Sequence, residues 1–191
     1  MIHSKDRSRW FGASDTSVIC GNWNTRTFES WWLIKLGISK SEFETIQTKT
    51  GTALEHRILQ AIGVTKMDRQ IKIRPYRLRV NLDGETREEI SEVKTHSSEV
   101  FKVTKAYWRQ CQVEMFAANK QCRIVAYRLL PEDYQNWFLP IDGSRLSFHP
   151  IEYDPMWIHQ EYLPKLRYLA SCLKRGVWPN ADKQSEMAAG Q

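Results

Sequence analysis

The sequence predicts a single α/β domain with helices packed on a central mixed sheet. Three observations predict it. The first sixty residues hold helix patterns that each end at a glycine. A run from Arg69 to Glu85 then alternates apolar with basic or polar residues, the period of a strand. After it, a helical pattern, an apolar strand and a last helix follow in turn, a succession that lays helices on a sheet. The expected layout is one domain over 1–179, with helices at 13–63, a sheet with its helix at 70–130 and a helical region at 131–179. Residues 180–191 carry few large apolar side chains and read as a flexible tail.

Each element has its own signal. "GASDTSVICG" starts a short helix, with Ser14 or Asp15 as N-cap and Gly21 as stop. "NTRTFESWWLIKLG" is an amphipathic helix capped by Asn24 or Thr25 and ended by Gly37. In "TKTGTALEHRILQAIG", Leu54, Ile58, Ala61 and Ile62 line one face and Gly63 closes the helix. "RQIKIRPYRLRVNLDGE" places Ile71, Ile73, Leu78, Val80 and Leu82 on strands, with Asp83-Gly84 as a tight hairpin turn. "EEISEVKT" supplies a third strand through Ile90 and Val93. "TKAYWRQCQVEMFAANK" returns to helix, "QCRIVAYRLL" is a buried strand, and "PMWIHQEYLPKLRYLASCLKRG" is a terminal helix broken near Pro164.

Composition narrows the function class. The 41% hydrophobic content rules against a disordered chain, and the net charge of +6 favours a polyanionic partner, most simply nucleic acid. Cys20, Cys111, Cys122 and Cys172 are scattered without C-x-x-C spacing. They read as reduced, mostly buried thiols, which argues against a zinc site, an iron–sulfur cluster or a disulfide framework. No apolar run approaches a membrane span, and the start lacks the apolar stretch of a signal peptide. A cytoplasmic protein with no membrane partner is the expectation.

Against that basic background, "NLDGETREEISEVKT" (81–95) is dense in acids. Strand alternation puts Glu92 and Lys94 on one face with Val93 on the other. A hairpin brings Asp83 alongside Glu92, where two carboxylates repel unless a cation sits between them. Mg²⁺ or Mn²⁺ suits such an oxygen site, and Lys94 beside it could offset charge growing on a phosphate. The plain alternative is an acidic turn and a solvated strand; Glu85, Glu88 and Glu89 read that way. Glu55 flanks the apolar stripe of its helix and could complete a metal site, or pair with His56 or Arg57 on the surface. Tyr107, Gln110 and Glu114 share a helical face, where Gln110 could bond a water or a phosphate. Arg9 and Ser14 flank Gly12 just before a helix start, a place suited to an anion.

Taken together, "GASDTSVICG", "GTALEHRI", "NLDGE", "SEVKT" and "YWRQCQVEM" resemble, in order and spacing, the YqaJ-type viral recombinases and lambda exonuclease. These phage alkaline exonucleases belong to the PD-(D/E)xK superfamily, with a restriction-endonuclease-like core. The resemblance spans about residues 8–130. It implies that Asp83, Glu92, the Val93 carbonyl and Glu55 hold two Mg²⁺ ions, with Mn²⁺ able to substitute. Lys94 is then the catalytic lysine, and Gln110 and Gln112 are the paired glutamines of the helix, Gln110 serving catalysis and Gln112 contacting the DNA. Arg9 (or Arg7) and Ser14 would hold a 5′-phosphate. Arg26, Trp31 and Lys35 would line the DNA track, with at least one of Trp31 and Trp32 in the core.

The implied activity is hydrolysis of one strand of linear duplex DNA from a 5′ end. The product is a 3′ overhang for a single-strand annealing protein. Ring-shaped homo-oligomers, trimers by resemblance, would enclose the DNA. Two alternatives remain from the residues alone. One is a restriction-like or structure-specific endonuclease; the other is a DNA-binding module of the same fold without turnover.

Overall fold

The computed structural model describes residues 8–40 and 45–184. Arg7 and the 185–191 part of the expected tail lie outside them. Five strands form one sheet in the order of the chain: β1 (Lys66–Ile73), β2 (Leu78–Glu85), β3 (Glu89–His96), β4 (Gln121–Arg128) and β5 (Leu146–Ile151). Neighbours are antiparallel except β3 and β4, which run parallel. A parallel pair needs a crossover, and helix α4 (Lys105–Ala118) supplies it. The sheet is therefore mixed, as the sequence predicts.

Two cores cover the two faces. Leu54, Ile58 and Leu59 of α3 (Ile46–Ala61) pack with Val64, Val93, Val125 and Tyr127. On the other side, α1 (Thr16–Ile19), α2 (Arg26–Leu36), α4 and α6 (Leu163–Arg175) close over Leu78, Val80, Leu82, Ile90 and Ile124. The tryptophans of α2 help to build this larger core. Trp32 is wholly buried and stacks on Phe28 with ring centroids 6.1 Å apart. Trp23 stacks on Tyr168 of α6 at 5.8 Å. All four cysteines are free, and Cys111, Cys122 and Cys172 are buried.

The helix ends follow the expected caps in part. Thr25 Oγ1 accepts from Phe28 N at 3.2 Å, and Gly37 ends α2 at φ 77°. "GASDTSVICG" differs: it forms a 3-10 turn, Ala13–Asp15, followed by α1. Neither Ser14 nor Asp15 makes a side-chain N-cap bond to α1, because the Asp15 carboxylate is engaged elsewhere. In the terminal helix, a π turn over Ile158–Tyr162 separates α5 (Pro155–Trp157) from α6. Pro164 lies in the first turn of α6, so the irregularity falls where its missing N–H cannot continue the ladder.

Four expectations are corrected. Asp83-Gly84 is not a turn. Both lie within β2, and the chain reverses at Thr86–Glu89, where Thr86 N donates to Glu89 O at 2.8 Å. Gly84 is small for packing: a Cβ there would come within 2.7 Å of Leu59 Cδ2 and 2.9 Å of Val64 Cγ1. The 131–179 region is not wholly helical, since β5 pairs with β4 as the edge strand. Its Pro150 hides the strand signal, yet an edge tolerates proline. The tail begins docked, with Gln184 bonded to Trp23 N at 3.2 Å and to the Gly21 carbonyl.

Finally, Glu85 is buried rather than solvated. Its carboxylate meets Lys66 at 2.6 Å, Arg69 at 2.9 Å and Lys120 at 2.6 Å. Burial alone would raise its pKa, but bonds from Lys120, Lys66 and Arg69 outweigh that and hold it at about 2. The Glu85 contribution to stability is therefore full above the ordinary value of 4.5 and lost as the pH falls towards about 2. Glu85→Gln should cost about 2 kcal/mol near neutral pH, because three cations lose their shared partner. Thermal melts of the two proteins check this, and the gap should close at acid pH.

Candidate active site

The site is made where β2 and β3 part. The two strands pair only next to their turn, at Gly84↔Ser91 and Glu85↔Ile90. One residue further, Asp83 Oδ2 accepts the Val93 N–H at 2.9 Å in place of a backbone carbonyl. The strand ladder thus opens into a notch, and its first side chains are Asp83 and Glu92. Glu55 of α3 and Gln110 and Glu114 of α4 reach the same notch from helices packed beside the sheet.

A hydrogen-bonded chain orders one side of it. Lys94 Nζ donates to Glu92 Oε1 at 2.7 Å and to Gln110 Oε1 at 3.1 Å. Gln110 Nε2 donates to Glu92 Oε1 at 2.5 Å and to Glu114 Oε1 at 2.8 Å. The Lys94 ammonium also lies 5.0 Å from the centre of the Tyr107 ring. Glu92 Oε1 is thus fully engaged. Glu92 Oε2 is buried and has no hydrogen-bond partner among the described residues.

The electrostatics show a surplus of negative charge. Burial, then Glu92 and Glu55, hold Asp83 well above the usual carboxylate range. Burial, then Glu92, push Glu55 up to about 7. Burial, then Glu92 and Cys111, hold Glu114 well above its ordinary value. Burial works to lower the Lys94 pKa, yet the charge and hydrogen bond of Glu92 carry it above the ordinary lysine value. One ammonium among these carboxyls does not balance the notch. A divalent cation fits the residues present: the donors are hard carboxylate oxygens, and one of them is buried without a partner.

Sequence reasoning missed two neighbours. The ligand atoms of Glu55, His56 and Asp68 lie within 4.8 Å of one another, and His56 Nε2 is 3.2 Å from Asp68 Oδ2. Asp68 sits on β1 between Met67, which pairs with Gly84, and Arg69, which pairs with Leu82. It stands level with Asp83, and its left-handed backbone (φ 58°) interrupts the pairing. No spacing rule flags an acid on a neighbouring strand. Register does, once β1 is aligned on β2.

A separate pocket of about 80 Å³ lies along β2, lined by Trp10, Gly12, Ser14, Asp15, Lys35, Arg79 and Asn81 among others. Ser14 is exposed at its mouth. Asp15 does not make it acidic, because Oδ2 is held by Lys35 at 2.5 Å and by Gly12 N at 2.7 Å, and Oδ1 by Trp31 at 2.9 Å. The other sequence-predicted contacts divide. Lys35 lines the pocket but is buried in its ion pair with Asp15. Trp31 is committed to Asp15 and to stacking on Phe11 at 5.7 Å. Arg9 is exposed and does not line the pocket; its N–H donates to Lys35 O at 2.8 Å. Arg79 takes the place expected for it, and Arg26 lies exposed on the first turn of α2.

Gln112 is a correction. It is wholly buried, donating to Glu152 O at 2.7 Å and accepting from Asp154 N at 2.7 Å, so it clips the chain ahead of α5 and faces no ligand. Gln112→Ala should lower stability by about 2 kcal/mol through two orphaned backbone groups. The salt dependence of DNA binding should not change. Denaturant titration and binding at two ionic strengths check both.

A mixed five-stranded sheet with helices on both faces, its acids gathered where two strands part, defines the class as an α/β fold. Two solved structures share it over nearly the whole chain. One is an alkaline exonuclease from Laribacter hongkongensis, 18% identical with a TM-score of 0.65, covering 95% of this chain and 94% of that one. The other is a phage-related exonuclease from Haemophilus somnus 129PT, 16% identical with a TM-score of 0.59, covering 93% and 96%. The shared fold runs well past residue 130, so the C-terminal region belongs to it. No family model and no curated protein matches the sequence. Among the described residues no helix is long and apolar enough to cross a membrane.

Proposed function

We propose that the protein is a divalent-metal-dependent exonuclease of phage or prophage recombination. It degrades one strand of linear duplex DNA from the 5′ end and leaves a 3′ overhang for a single-strand annealing protein. The observation that carries this reading is Glu92: one oxygen fixed by Lys94 and Gln110, the other buried and unpartnered, beside Asp83 and Glu55. The shared fold with two proteins described as exonucleases supports it.

Asp83, Glu92, Glu55 and the Val93 carbonyl would hold Mg²⁺, in two ions, with Mn²⁺ able to replace it. When bound, the metal supplies charge stabilisation to a phosphodiester and lowers the pKa of water. The remaining steps belong to side chains. Lys94 places a positive charge where an attacked phosphate gains negative charge. Gln110 acts as a positioning residue, since its amide fixes both Lys94 and Glu92. Ser14, Lys35 and Arg79 form the wall against which a terminal 5′-phosphate rests. Asn81, on that same wall, lies two residues from Asp83 along β2, about 7 Å. A phosphate held there fixes how far the strand enters.

Digestion of 5′-labelled, 3′-labelled and covalently closed circular duplex with Mg²⁺ tests the reading. Early release of the 5′ label from linear DNA, with the circle intact, is expected. Cutting of the circle would mark an endonuclease instead.

A further inference from the structure

A wider groove of about 630 Å³ opens between the β1–β2 hairpin and α6. Its walls carry Lys72, Arg74, Arg77, Arg167 and Lys174, with no carboxylate among the lining residues. Among the described residues none of these five cations has an ion-pair partner. Two are instead set against aromatic faces: Lys72 lies 5.8 Å from the Trp10 ring centre, and Arg167 lies 5.5 Å from that of Tyr76. The chain carries a net charge of +6, so five uncompensated cations here are a large share of its positive field. Such a surface fits a phosphodiester backbone.

Its position says which backbone. Trp10 lines both this groove and the small pocket, and Arg77, beside the groove, donates to the Arg9 carbonyl at 3.3 Å. Along β2 the order is Asp83 at the acidic notch, then Asn81 and Arg79 at the pocket, and Arg77, just before the strand, lies at the groove. The groove is thus about 20 Å from Asp83, on the far side of the pocket. A strand whose 5′-phosphate ends in that pocket extends the other way, past Asp83, and carries the duplex with it. Only the uncut strand continues beyond the pocket.

We infer that this groove holds the backbone of the single-stranded 3′ overhang as it leaves the duplex. Trp10, half-buried at the junction, offers a ring on which the first unpaired base can stack. The inference rests on the 5′-end reading above, and it adds a product-side contact to that site.

The test uses Lys94→Ala protein in Mg²⁺, with and without the added changes Arg74→Gln and Lys174→Gln, both at exposed positions. Affinity is measured for a 5′-phosphorylated blunt duplex and for the same duplex with a long oligo(dT) 3′ overhang. The parent should bind the overhang duplex about tenfold more tightly than the blunt one. The two added changes should remove that preference and reduce the salt slope on the overhang duplex by about 1.4, two contacts at ~0.7 each. Equal weakening on both duplexes would overturn the inference and assign the groove to duplex DNA. No change on either would overturn it as well, leaving a solvated face. In both cases the exonuclease reading stands. A parent that binds neither duplex would overturn both. Unchanged melting temperatures confirm that the added changes leave the fold intact.

Discussion

Lys94→Ala should lower the rate of nucleotide release by about 10²–10³-fold while leaving binding to duplex ends nearly intact. The ammonium is not a structural strut: it is half-buried at the mouth of the notch, and its contacts are Glu92, Gln110 and the Tyr107 ring. On the proposed reading, losing it removes the positive charge that would offset the negative charge gained by the attacked phosphate. It also releases Glu92 Oε1 from part of its restraint. Gln110→Ala should reproduce a smaller share of the loss, since Gln110 acts through Lys94 and Glu92 rather than on the phosphate. The check is single-turnover release of a 5′-terminal nucleotide, with end binding measured separately. Equal losses in the two variants would mean that orientation, not charge, is the contribution of Lys94.

Asp83→Asn should be more severe for activity, at least 10³-fold, and should act in the opposite direction on stability. Asparagine keeps an oxygen for the Val93 N–H but removes a charge from a crowded set of carboxyls. The sign follows from the raised pKa values. Asp83 in the fold titrates well above 3.8, and Glu55 titrates at about 7 rather than 4.5. Their protonated forms favour the fold at low pH. As the pH rises past their ordinary values each group is held less favourably in the fold than in the unfolded chain, and for Glu55 the loss is complete above about 7. Without metal, the variant should therefore melt about 4 °C higher than the native sequence at pH 8, on the scale of 1–2 kcal/mol. At pH 4 the gap should nearly vanish. Added Mg²⁺ should stabilise the native sequence and leave the variant almost unmoved.

These effects were legible in the sequence to different depths. Glu92 and Lys94 could be placed because alternation on a strand is rigid, and nothing in β3 disturbs it. Asp83 was found for a reason that the structure changes. Asp-Gly suggests a turn, whereas Gly84 is small so that Leu59 and Val64 of the opposite core can approach β2. Glu85 shows the converse failure. An acid in an acidic run reads as solvated, but Lys66 and Arg69 come from β1 opposite and Lys120 from the turn after α4, and no local pattern joins them. Asp68 and Arg79 were missed for the same reason, since cross-strand register puts them at the notch and the pocket. Gln112 was misplaced because two glutamines two apart on a helix cannot share a face: Gln110 turns to the notch and Gln112 into the core.

The claim at the centre is that these acids are gathered to hold divalent cations. Titration of the protein with Mn²⁺, followed by electron paramagnetic resonance, tests it most directly. The expected result is up to two bound ions per chain, competed by Mg²⁺ and lost in Asp83→Asn. A native-sequence protein that leaves Mn²⁺ free at pH 8, or an Asp83→Asn protein that binds it equally well, would contradict it.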